Sequence, residues 1–228
     1  GIARKPGQTR LDLAKTNVSI VKSITENIMK YAKNPLILVV SNPADLTTAA
    51  VLETSGLSAN RVIGSGTSLD TARFRYNLST KLHVNVEDIQ AYIVGEHGDS
   101  QVAVWSSAMV GGFPLEDYAK QVGVSLDKRE IAEHTKNGGA EVIGLKGATF
   151  YGIAMAVSTI VEAIMKDDSA ILPVAHVLDE SFGSWAGMAV SLPCRIGWEG
   201  IETCLRIPMN EEEQRAMDAS VKVLQDLW

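Results

Sequence analysis

From Leu11 to Tyr31 the apolar residues Leu13, Val18, Val21, Ile24, Ile28 and Met29 recur at the spacing of one helix face, so this stretch predicts an amphipathic helix. The pattern then changes. Leu36 to Val40 is an unbroken apolar run of strand length between two prolines, as in a parallel strand covered on both faces. "ADLTTAAVLETSG" predicts a second helix, ended by Gly56, and "RVIGSG" a further short buried strand. Strand, helix and strand with short connections predict a right-handed crossover in a parallel sheet. Beyond Ser65 the pattern predicts a long helix over about Leu69 to Leu82 and a strand at "IQAYIVG". Two amphipathic helices follow across Asp127–Met165, with a break near Gly144–Ala148. "GMAVSLPCRIG" and "IETCLRIPM" look like antiparallel strands. A last helix is capped by Asn210, with Glu211, Glu212 and Glu213 in its first turn, where the helix dipole favours negative charge. The chain thus predicts half of a parallel α/β domain over residues 1–65 and an α+β domain over residues 66–228.

Composition narrows the class. The 228 residues are 46% hydrophobic and 21% charged, enough for a core in one large or two small domains. A net charge of −6 argues against a nucleic-acid partner. No apolar run reaches the ~18 residues of a membrane span. Cys194 and Cys204 lie in strand-like runs without zinc spacing, so they predict free thiols in a reducing cytoplasm and no metal site. Against this acidic background "GIARKPGQTR" places three cations in ten residues, which points to a local anion site. The stretch has no apolar core of a targeting segment and reads as the interior of something longer.

Candidate chemistry is sparse. His83, His134 and His176 have no partner pattern and predict surface or structural roles. His97 lies in "IVGEHGDS", between glycines at the end of a predicted strand, where α/β enzymes hold reactive groups. In "GSGTSLDTARFR", Asp70 and Arg73 share a helix face, while Arg75 points elsewhere. They can form an ordinary surface ion pair, or Asp70 can orient a histidine while Arg73 forks a carboxylate. Asn42 in "SNP" follows the run that reads as a central strand, where an amide can fix a cofactor or substrate hydroxyl. "GSGTSL" fails as a dinucleotide fingerprint, since Leu69 stands where the last glycine belongs and no acid follows about twenty residues on.

Taken in order, "SNPAD", "GSGTSLDTARFR", "GEHGDS" and "KGATFYGIA" resemble the NAD-dependent L-lactate and malate dehydrogenase family, from the first residue to the last helix. The resemblance implies a Rossmann-type cofactor domain, of which this sequence carries the C-terminal half, followed by the substrate domain. It makes His97 the proton donor, Asp70 its orienting carboxylate and Arg73 the ligand of the substrate C1 carboxylate. "GIARKPGQTR" resembles the loop that closes over the substrate, bringing Arg10 onto the reacting carbonyl. Asn42 and Ser41 match cofactor-contacting positions, Asn42 also reaching substrate, and Thr149 matches a residue beside the substrate side chain. The implied partner is a small 2-keto or 2-hydroxy acid, and the implied assembly a homodimer or homotetramer.

Two positions of that resemblance disagree about the substrate. Lactate enzymes of the family carry Gln where this chain has Arg4, whereas malate enzymes carry Arg, which pairs with a second carboxylate. "GEHGD" with Glu96 instead resembles the bacterial lactate enzymes. Arg4 can also swing into solvent on a mobile loop. A further alternative is an inactive substrate-domain fragment. Allosteric bacterial members bind fructose 1,6-bisphosphate through an Arg matched by Arg75 and a His whose place here is taken by Gln90, which implies weak or no activation.

Overall fold

A computed structural model describes residues 10–147 and 149–228, with side chains from Ala14 onward. Helix α1 (Arg10–Tyr31) buries the face of Ala14, Asn17, Val21 and Thr25, Ala14 and Val21 packing against α2 (Ala44–Ser55), whereas Ile24 and Ile28 of the predicted apolar face are exposed. Between them runs β1 (Ile37–Val39), which pairs in parallel with β2 (Val62–Gly64). Helix α2 is covered almost all round, and every residue from Ala44 to Val51 is buried. Its threonines satisfy their hydroxyls internally. Thr47 Oγ1 donates to the Ser41 carbonyl at 2.6 Å, and Thr48 Oγ1 to the Ala44 carbonyl at 2.7 Å.

After β2 come α3 (Ser68–Leu82), β3 (Ile89–Val94), β4 (Val102–Val110), a short β5 (Phe113–Pro114) and α4 (Leu115–Gln121). Strands β3, β4 and β5 form an antiparallel sheet covered by α3, α4 and α5 (Lys128–Lys146), with Phe74, Leu78, Ile93 and Ile131 at its core. The predicted break appears between α5 and α6 (Tyr151–Lys166).

Strand β6 (Ala170–Val177) is the element least visible in the pattern of residues. It pairs antiparallel with β2 on one side and β7 (Ala189–Gly197) on the other, and β8 (Gly200–Cys204) completes the order β1-β2-β6-β7-β8. One mixed sheet therefore runs on past residue 65. Pro173 and Pro193 face each other in its central strands. Prolines are tolerated there because β2 meets β6 only at Gly64 and Ala175, and because Pro193 needs only its carbonyl, which accepts from Leu205 N–H at 2.8 Å. Strand β8 stops at Cys204; Leu205 still donates to the Pro193 carbonyl, and the run to Met209 then continues outside the strand. Cys194 is buried, whereas Cys204 is only half-buried.

Helix α7 (Glu211–Leu227) closes the fold through a capping box between Asn210 and Glu213. Glu213 does more than complement the dipole. Its carboxylate also accepts the backbone N–H groups of Trp105 and Ser106 at 2.7 and 2.9 Å, fixing α7 to β4.

Candidate active site

The site is assembled where β3 ends. Two threonines lock α3 to that strand: Thr67 Oγ1 donates to the Ile93 carbonyl at 2.6 Å, and Thr71 Oγ1 accepts the Ile93 N–H at 3.0 Å. Asp70 and Arg73, on the same helix, are thereby fixed relative to the segment that follows β3. Gly95 then exchanges both backbone bonds with Ser191 of β7, at 2.9 and 3.1 Å. A Cβ on Gly95 would lie 2.6 Å from Ser220 Oγ, so glycine lets α7 approach this close. Ser220 Oγ in turn accepts the Glu96 N–H at 2.8 Å.

His97 follows, held from two further sides. Its backbone N–H donates to Asp45 Oδ2 at 2.8 Å, and its Nδ1 lies 2.6 Å from Asp70 Oδ2. With Nδ1 engaged by a carboxylate, Nε2 is the nitrogen left for a reaction partner. Asp70 is 2% exposed, and its other oxygen accepts from Arg73 Nη1 at 3.1 Å. The structure thus brings His97, Asp70 and Arg73 together. Burial works against a charged His97 ring. The Asp70 hydrogen bond and charge, with the Asp45 charge, outweigh burial and the Arg73 cation, so the His97 pKa lies above its ordinary value.

The Arg73 guanidinium rests on the backbone of α5. A Cβ at Gly138 would stand 3.2 Å from Arg73 Cδ, and one at Gly139 3.7 Å from Nη1. Thr149 lies half-buried just before α6, whose Gly152 abuts Leu69, the neighbour of Asp70. Ser41 and Asn42 lie beyond the carboxyl end of β1, with their carbonyls held by Thr47 and by Asn17 Nδ2 at 2.7 Å. The Asn42 side chain is exposed there. Arg75 does point elsewhere, donating through Nε to the Ala91 carbonyl at 2.9 Å and lying over the Tyr92 ring. Arg4 and the Arg10 side chain lie outside the described residues.

The residue that sequence reasoning passed over is Asp45. It is 2% exposed, in the first turn of a buried helix, and its Oδ1 has no hydrogen-bond partner among the described residues. Burial raises its pKa to about 7, against the opposing pull of His97. The available signal was an acid in the first turn of a helix with no other charge before Glu53, a position that also suits the helix dipole. Of the other histidines, His83 and His134 are exposed. His176 is half-buried in β6, and burial lowers its pKa to about 4.

Comparison with known proteins bears on this geometry. Residues 1–64 match the family model of the lactate/malate dehydrogenase NAD-binding domain, and residues 67–227 that of the lactate/malate dehydrogenase alpha/beta C-terminal domain. An L-lactate dehydrogenase of Acetivibrio thermocellus is 41% identical over all of this chain and 72% of its own length. One from Kosmotoga olearia is 42% identical over 98% of this chain and 71% of its own. Among solved structures, an L-lactate dehydrogenase from Clostridium thermocellum superposes with a TM-score of 0.87 at 44% identity, covering 98% of this chain and 74% of that one. A malate dehydrogenase from Cryptosporidium parvum superposes at 0.92 and 35% identity, covering 100% and 73%. No described helix is long and apolar enough to cross a membrane. With both family models matched along nearly its whole length, the chain belongs to the lactate/malate dehydrogenase family of NAD-dependent oxidoreductases.

Proposed function

We propose that the protein interconverts a 2-keto acid and the corresponding L-2-hydroxy acid, with oxaloacetate or pyruvate as the keto substrate. The observation that carries the reading is the constellation of half-buried His97 and Arg73 about the buried Asp70. The nicotinamide cofactor supplies or accepts hydride when bound. His97, held through Nδ1, donates the Nε2 proton to the keto oxygen as negative charge develops there. Asp70 fixes the ring and stabilises the imidazolium, which is the form needed for reduction. Arg73, braced on α5, takes the substrate carboxylate through parallel N–H bonds. Arg10 polarises the carbonyl when the loop closes, and Thr149 lies beside the substrate side chain. Asn42 and Ser41 fit a cofactor chemically, since the exposed Asn42 amide can both donate to and accept from a ribose hydroxyl.

The proposed division into a cofactor part, residues 1–65, and a substrate part, residues 66–228, follows this assignment. A homodimer or homotetramer is favoured by the apolar side chains that α6 and its approach leave open, including Leu145, Tyr151, Met155 and Met165. The free thiols suit a cytoplasmic protein.

Arg4 supports oxaloacetate, because a guanidinium closed beside the methyl of pyruvate would be desolvated without a partner. The test compares kcat/KM for oxaloacetate and pyruvate, in wild type and in Arg4→Gln. A preference for oxaloacetate that collapses in the variant assigns specificity to Arg4. A preference for pyruvate in both places Arg4 outside the closed pocket and overturns the malate reading. Absence of turnover with either acid overturns the activity itself.

A further inference from the structure

Cys194 and Cys204 have no part in the chemistry above, yet the sheet sets them directly opposite each other. The register of β7 and β8 pairs Cys194 with Cys204. The Leu205 N–H to Pro193 carbonyl bond makes the neighbouring pair the hydrogen-bonded one. On the other side of β7, Leu178 N–H donates to the Met188 carbonyl, and this alternation turns the Cys194 backbone toward Leu172 of β6. Cys194 and Cys204 are therefore a non-hydrogen-bonded pair. In such pairs the Cα atoms are about 4.5 Å apart and the side chains project from the same face. That spacing falls within the range a disulfide spans without backbone movement, about 4.4–6.8 Å. Both residues meet one apolar cluster, which includes Ile196 and Ile201.

Their exposures differ in a useful way. Cys194 is fully buried, whereas Cys204 is half-buried on β8, the edge strand. We propose that the two residues form a cross-strand dithiol that a small disulfide reagent closes into an intrachain disulfide.

In the first step the Cys204 thiolate attacks one sulfur of the reagent, breaking its S–S bond and releasing one reagent thiolate. Cys194 then attacks the Cys204 sulfur of the mixed disulfide and expels the second. The two cysteine thiols lose two electrons and two protons, and the reagent disulfide leaves as two thiols. The neighbouring Cys204 thiol and then burial hold the Cys194 pKa up, and the Cys194 Sγ–H donates to the Leu192 carbonyl at 3.4 Å. The second step is favoured because the register of β7 and β8 holds the Cys194 sulfur beside Cys204 and makes the attack intramolecular.

The test treats the folded full chain with hydroxyethyl disulfide, small and uncharged, and follows intact mass and cysteine-containing peptides. Wild type is expected to lose two hydrogens and to yield a peptide joining positions 194 and 204. Cys194→Ala is expected to stop at one stable adduct on Cys204. Cys204→Ala is expected to react roughly tenfold or more slowly, as a buried thiol does. Circular dichroism checks that each variant is folded. A stable mixed disulfide in wild type, reaction only in urea, or no reaction at all overturns the proposal.

Discussion

Replacing Asp45 by asparagine isolates a carboxyl group that burial keeps protonated up to about pH 7. The wild-type group has a folded pKa of about 7 against 3.8 in the open chain, chiefly because burial penalises the charge. The folded protein therefore keeps a proton that the unfolded chain releases as pH rises from about 4 to about 7, and wild-type stability falls across that window. About three pKa units, at 1.36 kcal/mol each, make this fall on the order of 4 kcal/mol, complete above about pH 7. Asparagine does not titrate, so the fall should disappear. The variant also carries a constant offset. Its amide can still accept the His97 N–H, but its NH2 then faces the place where Oδ1 finds no partner among the described residues, at a cost of roughly 1–3 kcal/mol. The informative quantity is thus the slope of the difference with pH. His97 contributes the same sign in wild type, since its raised pKa gives stability that is present below its ordinary value and lost as pH rises through the folded value.

The assay is urea unfolding of both proteins at intervals from about pH 4 to about pH 8. The Asp45→Asn curve is expected to gain on wild type from about pH 4 to about pH 7. A difference that stays flat would mean that Asp45 is ionised throughout in the folded protein, and the burial argument would fail. The same variant has a catalytic readout. Above about pH 7 the Asp45 charge helps keep His97 protonated, so the alkaline limb of kcat for keto-acid reduction should move to lower pH.

Three further substitutions and one addition test neighbouring contacts. Asp70→Asn removes the carboxylate 2.6 Å from His97 Nδ1, and kcat for reduction should drop by roughly a hundredfold or more, with the alkaline limb again displaced to lower pH; an unshifted limb would argue that Asp70 only fills space. Gly138→Ala should raise KM for the keto acid roughly tenfold with little change in thermal stability, because its Cβ crowds Arg73 Cδ at 3.2 Å while the helix gains a better former. Gly139→Ala is the control, its Cβ being in ordinary contact at 3.7 Å, and equal KM values for the two variants would refute the bracing role. Sub-millimolar fructose 1,6-bisphosphate should leave the rate unchanged, because Gln90 is an exposed neutral residue and the Arg75 guanidinium is committed to the Ala91 carbonyl and the Tyr92 ring. A several-fold rise in rate would contradict that.

What could be read in the residues and what could not divide along a physical line. The helices α1, α3, α5 and α7 announce themselves because one face of each is buried and the period of burial is local. Strands β1 and β2 show as short apolar runs; β2 is buried throughout, but β1, expected to be covered on both faces, ends the sheet order among the described residues and is only half-buried at Ile37 and Leu38. Strand β6 does not show as a run, because Pro173 and His176 interrupt it, and only its neighbours reveal why they are tolerated: Pro173 meets no β2 ladder at that point, and Ser68 Oγ supplies its carbonyl with a donor at 2.7 Å. The site follows the same division. Asp70 and Arg73 are three residues apart on one helix face, and their pairing could be anticipated. Asp45 lies 52 residues before His97, and nothing in its own segment separates a carboxylate that serves a helix dipole from one aimed at the backbone of a distant histidine. Glu213 makes the converse point, since it fits the dipole and still carries the fold's contact to β4. A charged residue at a helix start is therefore ambiguous from sequence alone. The ambiguity is resolved by what the third dimension places against it: for Glu213 two donors of a neighbouring strand, and for Asp45 a single donor of the histidine that its own charge helps to keep protonated.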